Sequence, residues 1–329
     1  MLVISIGCPA GIGPEVSVAA AARVRKLPRV LVGDETTIHA AAELVGVPRS
    51  ELVRFDGEAK RRDRIYVHSV ATLDERDRRP GQPSKAAGRA QLAFIGAAFD
   101  LCRAAPGRVL VTGPVSKAAI ARSGAPGAAG FLGHTEWLRD RDRAKVSVMC
   151  FVARRLVTSL ATTHVPIARL PSVLTPGVVS DATVWLARLL ARMGRKAPSL
   201  AICSLNPHAG ESELLGQEER LAIVPGMRRA ARMLGRGVRL VGPVGAETAY
   251  RKAYAGQFDG VVAMYHDQAT VPMKLVAFGE AVNVTMGLSV IRTSVDHGTG
   301  YDIAWQGIAR PDGMVSALRL GARLAAGPR

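Results

Sequence analysis

Cysteines are rare in the sequence and long apolar runs are missing. Because no two cysteines form a C-x-x-C pair, we expect neither a disulfide framework nor a thiolate zinc site, and reduced thiols indicate the cytoplasm. No apolar stretch reaches the roughly 18 residues of a membrane helix, and the segment Met1–Gly7 is too short and uncharged for a signal peptide. We therefore expect a cytoplasmic protein with no membrane partner. The four cysteines are Cys8, Cys102, Cys150 and Cys203.

Acidic and aromatic residues are also scarce. Lys and Arg number 44 against 27 Asp and Glu, which gives a formal net charge of +17. Aromatic residues make up 5% of the chain, too few to give the basic residues stacking platforms for nucleic-acid bases. The basic runs at 60–64 and 139–143 alternate with acids, as solvated faces do. The sequence therefore argues against a nucleic-acid partner and leaves small anionic, phosphorylated molecules as expected ligands.

Short apolar runs alternate with longer Ala-rich stretches along the chain. Most of the runs are continuously apolar, which is typical of strands covered on both faces, and the alternation favours an α/β fold with a largely parallel sheet. Arg54–Pro83, rich in Arg, Asp, Gly and Pro, is predicted to be an exposed irregular segment. The predicted strands are Leu2–Ile6, Arg29–Gly33, Val109–Thr112, Val146–Val152, Leu156–Ala161, Leu200–Ser204, Gly260–Met264 and Val282–Thr285. The predicted helices are Glu15–Lys26, Ser84–Ala105, Ser180–Met193, Gln217–Leu234 and Glu247–Ala255.

Two glycine-containing segments follow predicted strands. Gly7–Glu15 opens a helix, and its glycines allow either a tight turn or a close approach of backbone amides to a phosphate. It matches neither a dinucleotide fingerprint nor a P-loop. Lys117, which follows the strand Val109–Thr112, is placed either to hold an anion or to solvate the surface. These segments alone do not decide between binding and structure.

Histidines are concentrated just after strands. A single histidine in such a place is more often a hydrogen-bonding loop residue, but several at one sheet edge favour metal binding or polar catalysis. Three imidazoles on different loops would form a metal site with positions open for substrate. The five histidines in such settings are His134, His164, His208, His266 and His297.

Residues 259–299 carry many polar groups in an apolar context. Burying them is costly without a ligand or paired partners. Lys274, Asn283 and Arg292 are suited to hold a phosphate or carboxylate, Arg292 through its bidentate guanidinium. The alternative is a salt-bridged core of Asp267, Lys274, Arg292 and Asp296.

Taken together, these motifs resemble the PdxA family, the 4-hydroxythreonine-4-phosphate dehydrogenases of pyridoxal phosphate biosynthesis. The resemblance implies an α/β fold of the isocitrate/isopropylmalate dehydrogenase type, with two α/β/α domains around a cleft. We place the first domain at 1–130 and 300–329, and the second, with most of the metal and substrate site, at 131–299. It also implies a homodimer with the active site at the interface. The matching stretches are Gly7–Glu15, Gly133–Leu138, Thr162–Ile167, Leu205–Glu211, Met264–Gln268 and Val282–Ala304.

The resemblance also implies roles for individual residues. His164, His208 and His266 match divalent-metal ligands, for Zn, Mg or Co. The substrate-binding positions are His134, Thr135, Lys274, Asn283 and Arg292. We expect His134, Lys274 and Asp267 to be catalytic, and Glu247, Gln268 and Thr285 to contact the cofactor, NAD or NADP.

The implied reaction is metal-dependent oxidation of 4-phosphohydroxy-L-threonine by NAD(P)⁺, followed by decarboxylation. The chain departs from the family pattern at Cys8, Ser212-Glu213, Glu247, Ala269-Thr270 and Ser289, which leaves the exact substrate open. The alternatives with the same chemistry are D-threonate or D-erythronate 4-phosphate and an aromatic cis-dihydrodiol carboxylate. An acyl- or phosphoryl-transferase, which does not need three histidines, and a catalytically silent binding protein are the alternatives from other classes.

Overall fold

The computed structural model describes Met1–Gly327, and these residues form twelve strands and eleven α-helices. The strands are β1 Leu2–Ser5, β2 Arg29–Gly33, β3 Leu52–Arg54, β4 Ile65–Ser69, β5 Val109–Thr112, β6 Val148–Val152, β7 Val157–Leu160, β8 Ser199–Cys203, β9 Arg239–Val244, β10 Gly260–Ala263, β11 Val282–Met286 and β12 Ile291–Val295. The helices are α1 Gly13–Arg23, α2 Glu35–Leu44, α3 Lys85–Arg103, α4 Lys117–Ala121, α5 His134–Asp142, α6 Leu170–Val173, α7 Pro176–Arg192, α8 Val224–Leu234, α9 Ala246–Tyr254, α10 His266–Ala277 and α11 Asp312–Ala326.

The chain divides into two compact units. The first unit comprises Met1–Ala144 and Leu288–Ala326, and the second comprises Lys145–Gly287. These boundaries differ from those expected at residues 130 and 299. Phe131, Leu138 and Val290 explain the difference, because all three are buried in the core of the first unit.

The first unit is a parallel sheet between helices. Its strand order is β3-β4-β2-β1-β5-β12, and every neighbouring pair is parallel. Helix α3 packs with Val3 and Leu110 on one face. A Cβ added at Gly321 of α11 would lie 2.7 Å from Val109, so α11 covers the opposite face, since successive strand residues point to opposite sides. The result is the expected α/β/α layering.

The second unit has a mixed sheet with the order β11-β6-β7-β10-β8-β9. Strand β6 is antiparallel to both β7 and β11, whereas the pairs β7–β10, β10–β8 and β8–β9 are parallel. Helix α7 contacts the face that carries Ser159, whose hydroxyl donates to the carbonyl of Ala182 at 3.0 Å. Helices α9 and α10 pack on the other face around Val261. The carboxyl ends of β7, β10 and β8 therefore share one edge.

Helix starts follow local capping chemistry. The Asp34 carboxylate accepts from the backbone N–H of Thr37 at 2.8 Å at the start of α2. The Ser84 hydroxyl accepts from the N–H of Ala87 at 3.0 Å at the start of α3. Such caps satisfy amide groups that have no partner within the helix.

The structure corrects the reading of Arg54–Pro83. This segment contains β4, whose Ile65, Tyr66 and Val67 are buried against β2, because three apolar residues suffice for an inner strand even between polar loops. Helix α10 was also not predicted. It contains Pro272, a residue that normally interrupts helices.

No single helix within residues 1–327 is both long and apolar enough to cross a membrane. The bent pair Ile167–Val173 and Pro176–Arg192 meets the length and composition requirements only when taken together. Much of Pro176–Arg192 is buried inside the second unit.

Candidate active site

His164 and His266 lie together at the carboxyl edge of the second sheet. His164 follows β7 and His266 begins α10 after β10, and these two strands are parallel neighbours. The centroids of the two imidazole rings are 5.7 Å apart, with the rings inclined at 37°. Both side chains line a cleft of about 300 Å³, together with Tyr265 and Asp267. The two imidazoles are therefore close enough to act on one bound group.

Asp267 orients the His266 ring. Nδ1 of His266 donates to Oδ1 of Asp267 at 2.6 Å, which leaves Nε2 as the ring atom with a free lone pair. A carboxylate on one imidazole nitrogen is the usual means of fixing the tautomer of a metal-binding or proton-transferring histidine. Asp267 and Lys274 are both exposed, so they do not form the buried salt-bridged core considered as an alternative.

His208 lies on the loop after β8, in an unusual backbone conformation. Six consecutive residues from His208 to Glu213 have positive φ, and five of them are not glycine. Left-handed backbone costs non-glycine residues about 1–2 kcal/mol each. Ser212 and Glu213, with φ of 56° and 75°, occupy the positions where the family pattern has glycines. This loop must therefore be held by contacts outside it.

The three expected metal ligands do not form a complete group within one chain. Among residues 1–327, no set of three or more His, Cys, Asp or Glu side chains is close enough together to hold a metal ion. His164 and His266 are brought together, while the ring of His208 is exposed and is not part of such a set. The metal assignment therefore stays a prediction.

Gln268 connects two of the loops. It is 9% exposed, its Oε1 accepts from the N–H of Met264 at 2.6 Å, and its Nε2 donates to the carbonyl of Ser204 at 2.8 Å. Both ends of this amide are thus engaged inside the protein. The expected cofactor role of Gln268 finds no support in this arrangement.

In the first unit, Arg292 and His134 lie close enough for the charge of the arginine to act on the imidazole. Arg292 on β12 is 2% exposed and donates through Nη2 to the Thr112 hydroxyl at 2.7 Å. Burial lowers the pKa of the Arg292 guanidinium to about 10, although Glu136 opposes the shift. Burial also lowers the pKa of His134 well below its usual value, and the charges of Arg292 and Lys117 add to this.

His134 is the first residue of α5, and its Nε2 is buried without a hydrogen-bond partner. The N-cap Gly133 provides no side-chain acceptor for the helix start. A neutral imidazole, an arginine and a helix amino end together favour an anion. Thr135 in the same turn is 5% exposed. The expected substrate residues His134, Thr135 and Arg292 thus belong to the first unit.

The remaining expected residues are spread over the second unit. Lys274 is exposed on α10, and Asn283 and Thr285 lie on the same face of β11. Oδ1 of Asn283 is buried without a hydrogen-bond partner, which is compatible with a ligand contact. Glu247 is exposed, and its Oε2 forms a surface ion pair with Nε of Arg251 at 3.9 Å.

Two further buried residues are Cys8, which the sequence analysis noted, and Glu219, which it did not. Cys8 is fully buried, with Sγ 3.5 Å from the Tyr301 hydroxyl, and burial raises the pKa of its thiol. Glu219, which no motif singled out, is 7% exposed and accepts three hydrogen bonds from the His208 loop. Nothing in the sequence distinguishes it from its neighbour Glu218.

Comparisons with known proteins agree on one family. A family model described as pyridoxal phosphate biosynthetic protein PdxA matches residues 25–321. The 4-hydroxythreonine-4-phosphate dehydrogenase of Aromatoleum aromaticum is 39% identical over 322 residues, which cover 97% of this chain and 95% of that protein. The crystal structure of the Klebsiella pneumoniae enzyme of the same name has a TM-score of 0.83 at 33% identity and covers 99% of both chains.

A terephthalate 1,2-cis-dihydrodioldehydrogenase from Burkholderia xenovorans is also similar. Its structure has a TM-score of 0.67 at 30% identity, covering 98% of this chain and 97% of that one. The fold and the expected family resemblance are confirmed by these matches.

The low pKa of His134 predicts a pH-dependent stability. Unfolded His134 takes up a proton below about pH 6.5, whereas folded His134 does not, so the free energy of unfolding should fall as the pH drops through that value. One such proton contributes at most about 1.4 kcal/mol per pH unit. Urea unfolding of the wild type and of His134→Asn, compared at about pH 7.5 and about pH 5.5, should show a flatter dependence in the variant. Equal pH dependences would contradict the assignment.

Proposed function

Because the chain belongs to the PdxA family of pyridoxal phosphate biosynthetic proteins, we propose that it is the dehydrogenase of 4-phosphohydroxy-L-threonine. The product would be 2-amino-3-oxo-4-phosphooxybutanoate, which loses CO₂ to give 3-amino-2-oxopropyl phosphate. The observation that carries the proposal is the pair His164 and His266 beside the 300 Å³ cleft, in a chain whose relatives are named dehydrogenases. The four cysteines are free, which supports a cytoplasmic location.

The residues present fit a divalent cation. Imidazole nitrogen suits Zn²⁺ and Co²⁺ better than Mg²⁺, and Asp267 leaves Nε2 of His266 available. We propose that His164, His208 and His266 hold this cation, and that Asp267 is a positioning residue that acts through His266. When bound, the cation supplies Lewis-acid polarisation of the substrate hydroxyl and the nicotinamide accepts the hydride.

The first unit supplies charge for the anionic substrate. Arg292, fixed by Thr112, is proposed to bind a phosphate or carboxylate oxygen, with Thr135 as a further donor. Lys274 and Asn283 of the second unit are proposed substrate contacts through an ammonium and an amide. Glu247 and Thr285 remain proposed contacts on the cofactor side, whereas both ends of the Gln268 amide are engaged inside the protein.

His134 is proposed as the proton acceptor. Its Nε2 is buried, neutral and without a partner. Burial is the main cause of the lowered pKa of His134, and the charges of Arg292 and Lys117 add to it. The imidazole is therefore neutral, and its Nε2 lone pair can accept a proton. An anion bound near Arg292 and Lys117 would offset only the part of the pKa shift that their charges cause.

A second substrate class has one specific observation in its favour. The structural similarity to the terephthalate 1,2-cis-dihydrodioldehydrogenase supports an aromatic cis-dihydrodiol carboxylate. D-Threonate and D-erythronate 4-phosphates offer the same oxidation next to a carboxylate-bearing carbon. Each of these three alternative substrates would be oxidised by the same mechanism. They differ only in the groups that Arg292, Lys274 and Asn283 would contact.

Reduction of NAD⁺ or NADP⁺ tests the function. With a divalent cation and 4-phosphohydroxy-L-threonine, absorbance at about 340 nm should rise, and His266→Ala should lower kcat by about a hundredfold or more because it removes a cation ligand. The control His39→Ala changes a histidine on α2, outside the site, and should keep full activity.

The other substrates provide the contradicting outcomes. A larger kcat/KM with a threonate or erythronate phosphate, or with a cis-dihydrodiol carboxylate, would assign the alternative substrate. No reduction with any of them would contradict the dehydrogenase proposal.

We also propose that the protein is a homodimer. Val271, Leu275 and Phe278 are 64%, 84% and 84% exposed, and their spacing of four and three residues places them on one face of α10 and its end. An apolar face of this kind, on the helix that begins with His266, favours burial against a second copy. A second copy is also a source for the cation ligand that one chain does not bring to His164 and His266.

Charged substitutions test the dimer. Leu275→Glu combined with Phe278→Glu should convert a dimer into a monomer in sedimentation velocity, because two charges would be buried in the interface. Ile308→Glu, an exposed apolar residue of the first unit, should leave the dimer intact. A wild-type protein that sediments as a monomer would contradict the proposal.

A further inference from the structure

The backbone of the loop that carries His208 is held only partly from within. Its six residues with positive φ take part in internal backbone hydrogen bonds that include Glu211 N–H to the His208 carbonyl at 3.2 Å and Leu215 N–H to the Gly210 carbonyl at 3.1 Å. Backbone in sparsely populated regions persists only where the surroundings determine it, and such positions cluster at functional sites. The contacts that impose this conformation are therefore part of the site.

Glu219 is the main such contact. Its Oε1 accepts from the backbone N–H groups of Leu205 and Asn206, both at 2.9 Å, and its Oε2 accepts from Nδ2 of Asn206 at 2.9 Å. A Cβ added at Gly210 would lie only 3.0 Å from Oε2, so the loop also packs closely on the carboxylate. The nearly buried carboxylate thus accepts three hydrogen bonds at the start of the loop and packs against Gly210 in its middle.

The position of Glu219 in the chain strengthens this reading. It is the first residue of a single π-helical turn, Glu219–Ile223, that precedes α8. Such turns are rare and frequently occur at functional sites. A π turn shifts the side chains that follow it relative to those before it. Here the residue at the start of the turn places its carboxylate in contact with the His208 loop.

Gln268 also contacts the start of this loop. Its amide joins the carbonyl of Ser204, at the base of the His208 loop, to the N–H of Met264, two residues before His266. Thr162, two residues before His164, donates its hydroxyl to the carbonyl of the same Met264 at 2.7 Å. Hydrogen bonds thus connect all three histidine-bearing segments.

We propose that Glu219 and Gln268 are positioning residues, which hold the segments of His208 and His266 in the backbone conformation that binds the divalent cation. The inference rests on the proposed function, since it takes the histidines as ligands. Neither residue touches the cation or the substrate. Both act through the backbone, and Gln268 is thereby assigned a role other than cofactor binding.

Co²⁺ binding to the purified full-length protein tests the inference. We expect Glu219→Gln, which replaces one acceptor oxygen with a donor, and Gln268→Leu, which removes both hydrogen bonds at similar volume, to raise the Co²⁺ Kd about tenfold or more, as loss of outer partners of metal ligands does. The visible absorption of bound Co²⁺ should change with the coordination geometry. KM for the nicotinamide cofactor should stay constant while kcat falls.

Glu218→Gln is the matched control. Glu218 is the neighbouring carboxylate and accepts from Nδ2 of the same Asn206 at 2.7 Å, but it receives no backbone N–H of the loop. Its variant should bind Co²⁺ within about twofold of the wild type, because the other contacts of the loop remain. Circular dichroism confirms that each variant is folded, and Gln268→Leu decides alone if Glu219→Gln does not fold.

The outcomes separate this inference from the proposed function. Wild-type Kd and absorption in both folded variants would overturn the inference, as would a wild-type protein that binds no Co²⁺ or a failure of both variants to fold. If the wild type binds Co²⁺ but reduces no nicotinamide with any substrate, the proposed function fails. Weaker Co²⁺ binding in the variants would then still support the positioning role.

Discussion

Parallel pairing of β7, β10 and β8 is the constraint on which the candidate active site depends. Parallel strands must all end at the same edge of a sheet, so the segments that follow them meet there. His164 and His266 lie 5.7 Å apart between ring centroids, although 102 positions separate them in the chain. Buried side chains at the same edge, Thr162 and Gln268, satisfy backbone groups where the strands end. The fold therefore determines where the histidines that we propose as cation ligands can lie.

Electrostatics distinguish the first unit from the second. Arg292 and His134 lie in a region where burial disfavours positive charge. In the second unit the titratable groups of the cleft are more exposed, and Asp267 lies beside His266. The buried guanidinium and imidazole thus belong to the first unit, and the more exposed histidines belong to the second.

Much of the fold follows from local pattern. The runs Arg29–Gly33 and Val109–Thr112 are strands with the predicted bounds, because continuous apolar residues fit a sheet covered on both faces. Local pattern fails where tertiary contacts decide. Helix α10 was not predicted because it contains Pro272, and β4 was not predicted because it lies within the polar segment Arg54–Pro83. At the candidate site, the residue types pointed to His164 and His266, which the structure brings together. Glu219 could not be distinguished from Glu218, since only three-dimensional packing buries Glu219 and leaves Glu218 half-buried.

We propose the sheet edge that carries His164 and His266 as the cation site, and anomalous diffraction from crystals soaked in Co²⁺ can locate the ion. We expect a peak about 2.0–2.2 Å from Nε2 of His266, with Nδ1 still bonded to Asp267, and His164 as a second ligand. A peak at other residues, or no peak in a protein that still reduces the nicotinamide cofactor, would contradict it.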